Sequence, residues 1–296
     1  MVMEKERIYS SSIEQDYAYC EEIIKEHSKS FYFAFSKLPK EKAQAVYAIY
    51  AFCRLADDSI DEAETKAEQA EALDILNHQL KQFELGNEMN HPIWRALRDV
   101  FDRYDMSIEP FYDQLQGQAM DYHFEQPHTM KEVEDYSYYV AGSVGLMLLP
   151  IIATKNHHQL EEPAVALGVA MQLTNILRDI GEDCKEINRV YLPASLMEKV
   201  GYSVEYLRQG RVNEPFIVIW ESIAVRAEQL FLDFRHVLHL FDADSQFPVA
   251  LSSKIYAGIL DAVRENNYDC FNRRNKTSFL KKMCILSEVK REFSKI

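Results

Sequence analysis

The chain has 296 residues, 47% hydrophobic and 27% charged, so it can bury a sizeable core and is not intrinsically disordered. Its formal net charge of -14 opposes sequence-blind nucleic-acid binding and docking on anionic lipid, both of which need clustered Lys and Arg. Five scattered cysteines, Cys20, Cys53, Cys184, Cys270 and Cys284, have no metal-type spacing and point to free thiols in a reducing cytosol.

No apolar signal core opens the chain, and the longest apolar run, Val140 to Ala153, is shorter than the ~18 residues a membrane span needs. A soluble, cytoplasmic protein is expected. Val/Ile/Thr-rich alternation is absent, and the nine glycines and nine prolines sit mostly between helical periods. The fold class is therefore read as all-α, with no linker to divide a single domain over residues 1–296.

Ser11 with Glu14 reads as a capping box opening a first helix that carries Tyr17, Cys20, Ile23 and Ile24 toward the core. It runs into His27-Ser28-Lys29-Ser30-Phe31. There a His, two hydroxyls and a Lys precede the rings of Phe31 to Phe35, an arrangement suited to a diphosphate with an apolar tail, and equally to a polar helix end. Pro39 opens the next helix, on which Tyr50, Arg54, Asp57 and Asp61 share one face within about 60° of arc. From Glu62 to Leu85 an amphipathic helix presents Leu73, Leu76, Leu80 and Phe83 inward, and Gly86 stops it. Short helices follow at His91-Pro92 and at Ser107 with Pro110, the second reaching Asp121.

Thr129 with Glu132 forms another capping box. The helix beyond it, from Tyr136 through Val140, Gly142 and Gly145 to Pro150, is apolar on all sides and belongs at the centre of the fold. Ala164 to Met171 is again apolar all round and leads into Gln172-Leu-Thr-Asn175-Ile-Leu-Arg-Asp179-Ile-Gly-Glu-Asp183. On a helix Gln172, Asn175, Asp179 and Asp183 lie within about 80° of arc, beside a stripe of Leu173, Leu177 and Ile180. Oxygen donors on one face and core contacts on the next suit a hard cation such as Mg²⁺, which takes carboxylate and amide oxygens together with substrate phosphates. The chain continues through a terminating segment, Asn188 to Pro193, and a long helix opened by Asn213 and Pro215. A helix bearing Tyr256 and ended by Asn266-Asn267 follows, then Arg273-Arg274 and a surface helix in residues 276–296.

Either acidic face alone is most simply a solvated helix surface. Both are set in apolar sequence, where an unpaired carboxylate is costly to bury. Together, Asp57-Asp-Ser-Ile-Asp61 and Asn175 through Asp183 resemble the squalene and phytoene synthase family, head-to-head prenyl transferases. The likeness extends from about His27 to Arg274.

The resemblance implies a single-domain helical bundle of the isoprenoid synthase type around a central apolar cavity. It implies Mg²⁺, or Mn²⁺ in its place, held by Asp57, Asp61, Asn175, Asp179 and Asp183, with catalytic roles for Asp57, Asp61, Asp179, Asp183, Tyr136 and Arg54. Substrate contacts carried over by motif are His27, Ser28, Ser30, Phe31, Tyr50, Arg54, Val140, Gly145, Gln172, Asn175, Tyr256 and Arg273, with Arg274 and Asp121 nearby. The implied partner is a small-molecule prenyl diphosphate and no nucleic acid; an apolar product leaves room for a weak peripheral membrane contact on release. Two farnesyl diphosphates would join through presqualene diphosphate to dehydrosqualene. The nearest rivals are two geranylgeranyl diphosphates giving phytoene, squalene formation with NADPH, a terpene cyclase and a head-to-tail transferase. From other classes come a non-catalytic helical binding protein and a di-iron bundle, whose Glu-x-x-His pairs would be Glu88 with His91 and Glu125 with His128, both outside regular helix.

Overall fold

The computed structural model describes residues 12–61, 63 and 65–294, apart from the side chain of Asp61, and among these residues there is no strand. The first half comprises α1 (Ile13–His27), α2 (Lys29–Phe35), α3 (Lys40–Asp61), α4 (Lys66–Glu84), α5 (Pro92–Arg103), α6 (Glu109–Tyr122), α7 (Met130–Ser137) and α8 (Ser143–Ile152). The second comprises α9 (Glu161–Glu186), α10 (Ala194–Val200), α11 (Val204–Arg208), α12 (Glu214–Arg235), α13 (Ala243–Glu265) and α14 (Phe279–Phe293). Among the described residues no helix is long and apolar enough to cross a membrane.

Local chemistry sets most boundaries. Thr129 accepts from the Glu132 N–H and closes the expected box at α7, while Gly86, at φ 76°, ends α4 in the left-handed conformation. Asn213 caps α12 through the Phe216 N–H. At α1 the expected box is corrected. Ser11 lies outside the described residues, and the N-cap is Ser12, whose N–H donates to Gln15 Oε1 at 3.1 Å; Glu14 is simply an acidic residue of the first turn, favoured there by the helix dipole. The amphipathic stretch from Glu62 also starts later, because Thr65 and Glu68 form a box of their own.

A larger difference lies between α7 and α8. The continuous helix expected from Tyr136 to Pro150 is interrupted by a π-helical turn, Tyr138–Gly142, which rotates the faces on either side of it.

Beside a small apolar cluster that joins Ala34 of α2, Leu251 and Ile255 of α13 and Ile285 and Val289 of α14, two larger cores result among the described residues. One gathers α1, α3, α5 and α8 around Phe52, Trp94, Leu97 and Phe111; the other gathers α9, α12 and α13 around Leu177, Phe216, Trp220 and Ile223. α3 packs on α1, α4, α5, α6 and α8, whereas α9 packs on α7, α8, α12 and α13. α3 and α9, the carriers of the two acidic faces, thus belong to different packing groups that share α8.

Candidate active site

Between α3 and α9 lies a cavity of roughly 1190 Å³ of atom-free space, its open mouth included. Asp57, Cys53, Tyr50, Ile49 and Val46 line it from α3; Asn175, Gln172, Met171, Gly168, Leu167 and Ala164 line it from α9. On both helices the order runs from polar to apolar over eleven residue steps, or about 16.5 Å at the helical rise. The apolar end is closed by Ile152, Phe234 and Phe241; the two rings meet edge to face at 5.5 Å, and the Asp242 N–H donates to the Ile152 carbonyl at 3.1 Å.

Val140, Val144 and Gly145 supply a third wall. A Cβ at Gly145 would come within 2.6 Å of the Ala164 carbonyl oxygen, so this glycine is explained by the close approach of α8 to α9.

The polar end holds several side chains that the protein itself leaves incomplete. Asn175 Oδ1, Arg54 Nε and Gln114 Oε1 are buried and have no hydrogen-bond partner among the described residues. Asn175 uses its other atom, Nδ2, to donate to Gln172 Oε1 at 3.2 Å. Asp57 Oδ1 accepts from Gln118 Nε2 on α6, and Arg54 pairs with Asp58. Three rings stand together on the wall of the same cavity, Phe31 lying 5.0 Å from Tyr256 and 6.5 Å from Tyr50 between centroids. Burial raises the pKa of both tyrosines, so they stay neutral phenols.

Asp179 and Asp183 continue the α9 face beyond the cavity lining. Arg178 forks onto Asp179, and Arg274 reaches the same carboxylate at 3.4 Å. Burial pushes the Asp183 carboxyl up to about 8; Asp179 and Glu182 reinforce the rise, and Arg178 and Arg189 oppose it. Next to Asp183, Tyr136 and Tyr191 donate to the two oxygens of Asp121 at 3.2 and 3.0 Å, with Arg189 at 3.3 Å from the same group. Burial raises Tyr136 well above its ordinary value.

Among the described residues Asp57, Asp179 and Asp183 do not draw together into one cluster of ligand oxygens. The donors nonetheless fit a hard cation in their chemistry: they are carboxylates and an amide oxygen, one of them an orphaned buried acceptor, and Asp57 and Asn175 line the same cavity from α3 and α9. The Asp61 side chain lies outside the described residues. Neither Glu-x-x-His pair joins a metal-type cluster among them.

Other motif residues occupy the rim. Ser28 is the break between α1 and α2, Ser30 Oγ accepts from Lys282 at 2.9 Å, and His27 is one-third exposed with Glu26 at 4.0 Å. Arg273 and Arg274 sit on a loop laid across α9, anchored by the Gly181 N–H to the Cys270 carbonyl at 3.1 Å. A Cβ at Gly181 would meet the Phe271 Cα at 2.5 Å, so only glycine lets the loop lie this close. On that loop Arg274 reaches Asp179, while Arg273 donates to Asn266 at 2.8 Å.

Four side chains at the site were not singled out from sequence. Gln114 and Gln118 stand four residues apart on α6, Arg178 lies within the acidic motif, and Lys282 is remote in sequence. An i, i+4 reading of α6 ending at Asp121 would have found the two glutamines; only the folded chain shows Lys282 beside Ser30, with Lys276 and Lys29 near enough to lower its pKa together with burial.

A helical bundle enclosing an apolar tunnel, with carboxylates, amides and arginines gathered at one end, defines an enzyme of the prenyltransferase type. Residues 24–281 match the family model described as squalene/phytoene synthase, and the chain belongs to that family. It is 34% identical over 268 residues to a 4,4'-diapophytoene synthase of Staphylococcus haemolyticus, covering 89% of this chain and 92% of that one. A 15-cis-phytoene synthase of Synechocystis is 33% identical over 287 residues, covering 93% and 85%. Among solved structures, a dehydrosqualene synthase in complex with ligand superposes with a TM-score of 0.90 at 45% identity, covering 96% of this chain and 98% of that one. The family binds prenyl diphosphates and uses a divalent metal to do so.

Proposed function

We propose that this enzyme joins two farnesyl diphosphates head to head, through presqualene diphosphate, to dehydrosqualene for carotenoid synthesis, with Mg²⁺ and without nicotinamide. The observation that carries the choice of substrate is the length of the tunnel. A zigzag chain advances about 3.5 Å per three bonds, so the eleven bonds of a farnesyl main chain span about 13 Å and the fifteen of geranylgeranyl about 17.5 Å. Asp57 to Val46 spans about 16.5 Å along α3, longer than the first and about 1 Å shorter than the second, which supports the shorter substrate.

Arg54, Arg178, Arg274 and the lysines near Ser30 orient the diphosphate groups, and the carboxylates of Asp57, Asp61, Asp179 and Asp183 with the Asn175 amide would hold the metal. When bound, the ion neutralises charge on the departing diphosphate. The C–O bond breaks with its electron pair going to diphosphate, and the allylic cation meets the double bond of the second chain. Phe31, Tyr50 and Tyr256 offer ring faces to that cation, and neutral phenols do not trap it. The apolar walls exclude the water that would. Proton loss, with released diphosphate as base, closes the cyclopropane; a second ionisation, rearrangement and proton loss yield the hydrocarbon.

The test is to incubate the purified protein with Mg²⁺ and each diphosphate, with and without NADPH, and identify the hydrocarbon by mass. Dehydrosqualene from farnesyl diphosphate without NADPH is expected. Faster turnover of geranylgeranyl diphosphate in direct competition, squalene formed only with NADPH, or no metal-dependent release of diphosphate would overturn the proposal.

A further inference from the structure

Away from the tunnel mouth, the loop after α5 meets the 3-10 turn His157–Leu160 that joins α8 to α9. Asp105, His157 and His158 each place a ligand atom there, all within 4.8 Å of one another, the one such cluster found among the described residues. His157 is the telling member. Both its ring nitrogens are buried without a hydrogen-bond partner among the described residues, and its side chain is only 16% exposed. Its Nε2 stands 3.6 Å from Asp105 Oδ2, beyond hydrogen-bond reach, and its ring centroid lies 4.1 Å from that of His158. An imidazole always has one nitrogen to donate and another to accept, or two to donate, and leaving both unmet in a buried place is costly.

From this geometry we propose that Asp105, His157 and His158 form a binding site for a divalent transition metal of the zinc type, separate from the acidic helices of the reaction site. Two imidazoles and a carboxylate are the donor set that zinc and its neighbours favour, whereas Mg²⁺ prefers oxygen alone. The mobile partner is Asp105, whose side chain is 85% exposed and can close on the ion by rotation about its own bonds. His158 is already oriented: its Nδ1 lies 3.1 Å from Glu161 Oε1, the outer carboxylate that metal-binding histidines ordinarily have. Water or solvent completes a tetrahedral site.

The placement gives the ion a structural task. The 3-10 turn runs straight into α9, whose Ala164 lines the apolar end of the tunnel, and it follows α8, whose Ile152 closes that end. A metal bridging Asp105 to the two histidines ties the α5–α6 connection to this junction and braces the closed end of the tunnel. The reading is independent of which hydrocarbon the enzyme makes.

The experiment uses the full-length, metal-stripped protein in millimolar Mg²⁺, which occupies oxygen-only sites. Zinc uptake is measured by competition with a chromogenic chelator, coordination by the visible absorption of Co²⁺, and thermal stability with and without Zn²⁺. Expected are one zinc per chain at micromolar or tighter affinity, a Co²⁺ band of tetrahedral intensity, and a melting temperature raised by the ion. His157→Gln with His158→Gln should lose all three while keeping Mg²⁺-dependent turnover, and Asp179→Asn should keep all three. Asp105→Asn, at an exposed position where folding is not at stake, should weaken zinc binding at least tenfold. Equal zinc uptake by the double histidine variant and wild type, or no uptake below 100 micromolar, would show adventitious binding only and overturn the proposal.

Discussion

Shortening Phe234 to Ala should move the enzyme toward longer substrates. Phe234 is 3% exposed, closes the apolar end of the tunnel against Phe241, and stands on α12, away from every polar group at the mouth. The geranylgeranyl tail exceeds the α3 span by about 1 Å and the farnesyl tail fits within it, from the rise of an extended chain and of a helix. Forcing extra methylenes into a packed space costs about 1–3 kcal/mol, so the wild-type tunnel should disfavour the longer substrate by roughly 5- to 150-fold. Removing the ring relieves that penalty, and the ratio of kcat/KM for geranylgeranyl over farnesyl diphosphate should rise by about the same 5- to 150-fold. The same truncation costs about 3–5 kcal/mol of stability, so the assay is run well below the melting temperature and helicity is checked first. Competition between the two diphosphates, with C30 and C40 hydrocarbons quantified by mass, reads the ratio directly. A folded variant, active on farnesyl diphosphate, whose ratio stays within twofold of wild type would refute the assignment of this end as the ruler.

Asp57→Asn and Asp179→Asn should each lower turnover by about 10²- to 10³-fold with the helical fold intact, because each removes a charge that would hold the metal against the leaving group; full activity in excess chelator would contradict this. Arg274→Ala should raise KM for the diphosphate more than Arg273→Ala, since only Arg274 reaches Asp179, and steady-state kinetics on the pair decide it. Asp183→Asn should stabilise the metal-free protein at pH 8 while abolishing activity. The carboxyl is raised from 3.8 to about 8, so the folded state binds the extra proton, and stability is lost as pH rises from the unfolded value through about 8. At about 1.36 kcal/mol per unit the ceiling is on the order of 5 kcal/mol, and a gain of a few degrees in melting temperature at pH 8 that vanishes at pH 4 is the signature. Equal melting of wild type and variant at both pH values, in chelator, would refute it.

What could be read from the sequence was mainly what repeats at short range. The spacing of Tyr50, Arg54 and Asp57 and of Gln172, Asn175 and Asp179 foretold two helices bearing polar faces, because four residues apart on a helix is a contact whatever the tertiary fold. Thr129 with Glu132 and Asn213 marked helix starts by hydrogen bonds to backbone within three residues. The first box slipped because Ser11 and Ser12 stand side by side, and which one caps is settled by Gln15 rather than by Glu14. The π turn at Tyr138–Gly142 left no mark in the hydrophobic pattern, since a stretch that is apolar on every side has no face whose rotation could be noticed. Lys282 beside Ser30 and His157 beside Asp105 are products of the fold, joining segments that no local spacing links.

The two larger apolar cores both line the tunnel, so the middle of this protein is a space that a single-core bundle would fill with side chains. A prenyl tail entering from the polar end would supply the missing apolar contacts, acting as a removable piece of the interior. Folding and binding are then linked through mass action: any ligand with an apolar tail raises the free energy of unfolding in proportion to the logarithm of its concentration above its dissociation constant. Product leaving the enzyme would withdraw that contribution on every cycle. Hydrogen exchange along the tunnel-facing sides of α3 and α9 should therefore slow when a tail is bound.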